Sequence, residues 1–184
     1  MRINPILPII VGYTGAGKTT YLEKLTKKYA RVLIVTPHSG EWLQFPDIDI
    51  NIRKYHQFEG IRRVQASSGV VSEINREPDF FRNGLLVLDD ARHYVNSTVE
   101  KSLEQILISR KQRGLDVVAA AHGLTVIPPL FFLYVSHFVM FKTQDNLKKR
   151  KNDLMWYDEL VQMQKRVNEH ANFHKYEVFK TQKI

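Results

Sequence analysis

The sequence predicts an α/β protein with a mainly parallel central sheet and helices on both of its faces. Three observations carry that expectation. The runs RVLIVT at 31–36 and LLVL at 85–88 are apolar almost from end to end, as strands buried on both faces are. Stretches with charged residues and helical apolar spacing lie between such runs, the alternation of a βαβ chain. A glycine-rich turn joins the first apolar run to the first charged stretch.

Taken in order, residues 6–11 form a short strand and 18–29 a helix. Residues 31–36 are β-branched and compact, a buried strand. The alternation at 48–55 suggests another strand, and 70–81 a helix closed by the turn dipeptide Asn83-Gly84. Residues 85–88 form a strand ending in Asp89-Asp90. Residues 97–111 form a helix with Val99, Leu103, Ile106 and Leu107 on one face and Gly114 as its stop. Residues 116–121 and 137–142 are two more buried strands. A long amphipathic helix is expected over 147–167 and a last strand over 176–179. There is no repeat and no linker-like segment, so residues 1–184 are expected to be one domain, a core over 1–143 followed by the C-terminal elements of 144–184.

Composition excludes whole classes. With 43% hydrophobic and 25% charged residues, the chain is neither disordered nor collagenous. Cysteine is absent, which removes disulfides, thiolate metal sites and a cysteine nucleophile. The N-terminal segment lacks the long apolar run of a signal peptide, and a cytosolic protein is expected. The net charge of +8 favours an anionic partner, and its excess lies in the flanks 1–84 and 142–184. Residues 117–141 contain no Asp, Glu, Lys or Arg, long enough to span a bilayer. Pro128-Pro129 would break a spanning helix, however, so strand, loop and strand is the expectation and membrane insertion is not.

The most informative segment is Gly12-Tyr13-Thr14-Gly15-Ala16-Gly17-Lys18-Thr19, followed by Thr20. It fits G-x-x-x-x-G-K-[ST] between an apolar strand and a helix, the context in which this pattern cradles phosphate. Glycines let the backbone curl so that N–H groups at Gly12, Thr14, Gly15, Ala16 and Gly17 can face phosphate oxygens. The helix N-terminus adds positive potential. Lys18 reaches the β- and γ-phosphates of ATP, and the Thr19 hydroxyl serves Mg²⁺. Asp89, at the tip of a buried strand, faces the crevice where such sheets bind ligands and is the second candidate Mg²⁺ ligand. Asp90 is the candidate for directing the attacking water.

The N-K-x-D segment of guanine-nucleotide switches does not occur. Beyond the second acid, Arg110 and Arg113 end a helix, Gly114 stops it, and a strand follows to His122. This resembles the FtsK/HerA superfamily of DNA-pumping ATPases, in which a basic helix end and a glycine precede a strand capped by a polar sensor. Within it, the small size is similar to compact genome-packaging ATPases of membrane-containing icosahedral viruses. The zonula-occludens-toxin-like ATPase domain is the second resemblance. Two residues depart from the pattern: Asp90 stands for the usual glutamate and His122 for the usual glutamine.

The resemblance implies a RecA-like P-loop ATPase that assembles into a ring and moves double-stranded DNA without sequence preference into a capsid, docking on a capsid or portal-vertex protein. It would work in the host cytoplasm or on the virion. It implies His122 as γ-phosphate sensor and Arg110 or Arg113 as an arginine finger that crosses to the nucleotide of a neighbouring subunit. A helix C-terminus also attracts cations through its dipole, so the finger has an ordinary alternative. The run Lys148-Lys149-Arg150-Lys151, with Arg53-Lys54 and Arg62-Arg63, could meet phosphates or simply be solvated. Trp42, Phe45 and Trp156 are expected in the core or an interface. Three other readings stay open: a filamentous-phage-type assembly ATPase, a nucleotide or nucleoside kinase, and a non-hydrolysing ATP-binding scaffold.

Overall fold

Strands form where an extended chain offers apolar side chains to both faces. The computed structural model describes residues 4–67, 69–94 and 97–181. The strands are β1 (Pro8–Val11), β2 (Arg31–Thr36), β3 (Gly60–Gln65), β4 (Gly84–Leu88), β5 (Leu115–Ala121), β6 (His137–Phe141) and β7 (Tyr176–Lys180). They form one sheet in the order β3-β2-β4-β5-β1-β6-β7. All neighbours are parallel except β6 and β7.

Alternation along the strands separates two cores. Ile10, Val32, Ile34, Val87, Val118 and Val139 face the side covered by helix α1 (Lys18–Thr26), through Leu22, and by Trp42. Ile9, Leu33, Val35, Leu86, Val117 and Met140 face the opposite layer. That layer holds helices α2 (Val70–Ile74), α3 (Ser97–Arg113) and α5 (Tyr157–Glu169), with the short α4 (Pro129–Phe132) beside them. Leu103, Ile106 and Leu107 of α3 are buried as expected, while the side chain of Val99 lies outside the described residues. The expected α/β architecture with helices on both faces is what the chain adopts.

Three expected elements differ. Residues 48–55 are not a strand: Asn51 N donates to Asp49 Oδ1 at 2.9 Å in a local turn, and Lys54 has φ 62°. The alternation there marks the anchors Ile50 and Tyr55, both buried. The real strand is β3, which pairs with β2 from Arg31–Gly60 to Thr36–Gln65. The helix expected over 70–81 ends at Ile74, since Pro78 cannot continue it, and Phe81 N returns to Ile74 O. The helix expected over 147–167 is two pieces, a 3₁₀ turn at Leu147–Arg150 and then α5. Arg150 breaks it by turning inward, donating to Thr125 O at 2.8 Å and Ile127 O at 3.0 Å.

The uncharged run 117–141 is β5, a turn, α4 and β6, as expected. Among the described residues no helix is long and apolar enough to cross a membrane.

Parallel registry aligns the strand ends that matter. Val11 is level with Ala121 and Met140, and Val35 is level with Leu88. The residues that follow, Gly12, Asp89 and His122, therefore share one edge. The chain leaves β1 toward β2 on one side and passes from β5 to β6 on the other, which opens a crevice at that edge.

Close packing at the opposite edge gives a test. A Cβ on Gly84 would lie 2.5 Å from the backbone oxygen of Arg31, a contact that only a backbone shift relieves. Gly84→Ala should therefore lower stability by about 1–3 kcal/mol, the usual cost of overpacking. Urea denaturation measures it, and an unchanged midpoint would contradict the β2–β4 approach.

Candidate functional site

The glycine-rich turn grips its own lysine. Gly15 and Gly17 have φ 77° and 106°, backbone states that side chains with a Cβ rarely adopt. Gly12 is required for space instead: a Cβ there would lie 2.5 Å from Phe141 Cβ. Lys18 Nζ donates to Gly12 O at 2.7 Å and Tyr13 O at 2.9 Å. The ammonium thus lies over the loop. Burial pushes its pKa below the usual lysine value, while Asp89, Asp90 and Glu41 pull it back up.

Around it is a cavity of roughly 280 Å³ lined by Thr14, Gly15, Lys18, Thr19, Asp89, Asp90 and His122, together with His38, Glu41 and Ala121. The fold thus brings together the phosphate-loop residues, both acids and the candidate sensor. Asp89 is held from the side, accepting from Trp42 Nε1 at 2.8 Å. Asp90 has φ 50° and is buried. Its Oδ2 lies 3.2 Å from Arg92 Nε and 3.7 Å from His38 Nε2. His122 is exposed; partial desolvation first and the Lys18 charge second hold its pKa below the ordinary histidine value, which favours the neutral ring with one donor and one acceptor nitrogen.

Oxygen donors Thr19 and Asp89 in one cavity suit Mg²⁺, a hard cation that takes few protein ligands and leaves the rest to water and phosphate. Glu41 reinforces the fit. Its carboxyl is pushed up by burial first and by the neighbouring Asp89 second. Two carboxylates so close repel each other, and a cation held by Asp89 would relieve that repulsion and leave Glu41 ionised. Among the described residues, no cluster of three or more His, Asp or Glu side chains forms a metal site without help from a ligand.

Arg110 and Arg113 are not brought to this cavity; a finger acting on a neighbouring copy would lie away from its own chain's site. Helix α3 runs against the strands, so its end lies at the start of β5, about 20 Å from the site by strand rise. Arg110 is 8% exposed, donates to Leu107 O at 2.9 Å and lies over the Tyr134 ring. It borders a different cleft, with Lys28, Tyr29, Lys111 and Asp116. Arg113 is equally buried, donates to Asn75 Oδ1 at 2.5 Å and stacks on Phe80 at 4.3 Å. Both guanidiniums serve the interior of their own chain. The arginine that does reach the site is Arg92.

A second cavity, roughly 310 Å³, opens on the other side of the loop. Gly17, Thr20, Tyr21, Lys24, Phe141, His174 and Tyr176 line it. Thr20, the last residue of the expected ATP-binding stretch from Gly12, lines this cavity and not the first. Tyr176 packs 5.1 Å from both Tyr21 and Phe141. The sequence reading missed these aromatics, as it missed His38, Glu41 and Arg92. Their sequence signal is position alone: His38, Glu41 and Arg92 lie a few residues beyond strand ends, Tyr21 is on α1, Phe141 ends β6 and Tyr176 begins β7, and strand order decides which of these meet. Trp42 is in the core, 4% exposed, as expected, but its indole N–H works in the site.

Fold and site together define an α/β RecA-like phosphate-loop NTPase architecture. No family model matches the sequence, and no curated protein matches it. Solved structures share the fold. The genome packaging NTPase B204 of Sulfolobus turreted icosahedral virus 2, in complex with sulfate, has a TM-score of 0.67 at 13% identity, over 98% of this chain and 92% of that one. The DNA-packaging ATPase of Sulfolobus Turreted Icosahedral Virus has a TM-score of 0.62 at 13% identity, over 97% and 98%. The pCW3 conjugation coupling protein TcpA, with ATPγS, has a TM-score of 0.55 at 11% identity, over 98% of this chain and 59% of that one.

The Trp42–Asp89 hydrogen bond makes the site visible by fluorescence. Trp156→Phe leaves Trp42 as the sole tryptophan. If Asp89 takes a metal, magnesium with a non-hydrolysable ATP analogue should change the emission of Trp42 in that variant, because the carboxylate would then divide its oxygens between indole and metal. Emission that stays constant at saturating nucleotide would count against Asp89 as a metal ligand.

Proposed function

We propose that the chain is a Mg²⁺-dependent ATPase of the FtsK/HerA type that moves double-stranded DNA, working as a ring of copies in packaging a viral genome. One observation carries the catalytic part: Lys18, Thr19, Asp89 and His122 line a single cavity at the carboxyl edge of the sheet. In this reading Gly12 to Thr19 cradle the phosphates, Thr19 and Asp89 hold Mg²⁺, and His122 detects the γ-phosphate. Lys18 leaves its two carbonyl partners for the β- and γ-phosphates. The metal supplies charge neutralisation at the phosphate oxygens.

The second cavity suits the base. Tyr176 and His174 stand at its mouth beside Gly17, and a flat aromatic ring stacks on such side chains with little sequence demand. Tyr176→Ala should raise the Kd for ATP about tenfold, as loss of one stacking partner does elsewhere, with a smaller effect on kcat. Equilibrium binding of a fluorescent ATP analogue measures this; unchanged affinity would place the base elsewhere.

Support for the DNA part is coarser. The whole chain overlaps packaging NTPases along nearly their full lengths. Lys148, Lys149 and Lys151 are exposed on one turn and on the residue that follows it, free to meet phosphates, whereas Arg150 and Arg63 are committed to internal contacts. Binding through such cations is non-specific and weakens steeply with salt.

Lys18→Ala should cut ATP hydrolysis by about two orders of magnitude or more, the scale of losing one group that stabilises transition-state charge. Its circular dichroism should match that of the parent. Double-stranded DNA should stimulate the parent and not the variant. Phosphoryl transfer to a nucleoside acceptor in place of water would instead establish a kinase.

A further inference from the structure

The loop that follows β2 delivers a third acid to the cavity. Residues 37–47 cross the carboxyl edge of the sheet, and three of their side chains, His38, Glu41 and Trp42, turn toward Asp89 and Asp90. The loop is fastened at both ends of this stretch. Arg63 of β3 donates through Nη1 to Ser39 O at 3.0 Å and Glu41 O at 2.7 Å, while its Nε meets Asp47 Oδ1 at 2.6 Å. Trp42, with φ 61°, is buried and tied to Asp89. Glu41 lies between these two anchors, so its backbone is fixed while its carboxyl reaches into the cavity.

Asp90 is in a different state. It is 5% exposed, its backbone is left-handed, and its Oδ2 lies near both Arg92 and His38. A general base must reach a water that itself contacts phosphorus. Glu41 is exposed, carries one more methylene than aspartate, and shares the cavity with Lys18 and Thr19. Asp90 instead holds the Arg92 guanidinium and lies beside His38.

We propose that Glu41, fixed by Arg63 and Trp42, is the residue that positions the attacking water and takes its proton, and that Asp90 holds the wall formed by His38 and Arg92. The inference rests on the hydrolytic reading given above. In the step, the water oxygen forms a bond to the γ-phosphorus as the bond from that phosphorus to the β–γ bridging oxygen breaks. The bridging oxygen leaves with the electron pair as part of ADP. The water's proton goes to the Glu41 carboxylate and then to the released phosphate or to solvent. Glu41 is the catalytic residue here; Arg63 is a positioning residue that acts through it.

The test uses the full chain with double-stranded DNA and measures turnover and, separately, the Kd of a non-hydrolysable ATP analogue. Glu41→Gln should lower kcat about 100-fold or more, in the range seen for lost general bases, with analogue affinity within about threefold of the parent. Glu41→Asp should recover part of the rate. Arg63→Gln should lower kcat less, and adding it to Glu41→Gln should cost almost nothing further, since residues acting as one unit are not additive. Glu41→Gln turning over near the parental rate while Lys18→Ala is inactive would overturn the role of Glu41 and leave the hydrolytic reading standing. Loss of analogue binding in step with turnover would make Glu41 a binding residue and overturn the proposal as well. A parent that binds the analogue but never hydrolyses ATP would overturn both readings together.

Discussion

The position of β1 between β5 and β6 is the constraint from which the site follows. Its parallel register sets Val11 level with Ala121 and Met140. Gly12 can then leave the sheet against Phe141, where no Cβ fits, and its N–H reaches Ala121 O at 3.3 Å while Tyr13 N reaches Lys142 O at 2.8 Å. A slip by one residue would exchange the two faces of β1. It would also move the loop off Phe141 and away from Asp89. The glycine is therefore a consequence of strand spacing as much as of phosphate chemistry.

Charge completes what register begins. The cavity holds one ammonium and three carboxylates, those of Asp89, Asp90 and Glu41, with two histidines at its rim. Burial lowers the pKa of Lys18 and raises that of Glu41, and the three carboxylates offset the cost of the buried ammonium. Arg92 takes Asp90, and Trp42 takes Asp89, leaving Lys18 on two carbonyl oxygens. Carbonyls are neutral acceptors and phosphate oxygens are charged ones, which bond an ammonium about twice as strongly. The resting site is thus arranged so that the lysine gains by exchanging its partners.

Elements whose signal is local were legible from the residues. β2, β4 and β5 are buried on both faces and read as continuous apolar runs, and the phosphate loop is a pattern of eight adjacent positions. β3 was not legible because it is an edge strand: Ile61 and Val64 flank Arg62 and Arg63, so each face carries one apolar residue and one arginine and no alternation shows. The break before α5 depends on Arg150 finding Thr125 and Ile127, carbonyls that lie more than twenty positions away. Glu41 and Arg92 depend on strand order, because only the β2–β4 pairing puts the end of β2 beside Asp89. Arg110 and Arg113 were legible as a basic helix end, but their ring contacts with Tyr134 and Phe80 are ones that no local pattern reveals.

The same logic extends from the site to α5. Thr143, just past the end of β6, donates to His122 O through Oγ1 at 3.1 Å. Its own N–H and C=O are both engaged by the Asn168 side chain, at 3.0 and 2.8 Å. Gln164 adds a bond to Asp145 O at 2.8 Å, and Asp145 in turn holds Thr125 N at 2.9 Å. Thr143 is 2% exposed, so any of these bonds broken singly would leave a buried polar group unpaired, at a cost of about 1–3 kcal/mol. It is cheaper for the ends of β5 and β6 to move with α5 than to separate from it. The backbone at His122 is thereby tied to the helix, and Arg166 ties the helix to β7 through its two-pronged contact with Glu177. The C-terminal elements are in this sense part of the site's framework, and the exposed lysines at 148, 149 and 151 are attached to it by the turn that Arg150 locks.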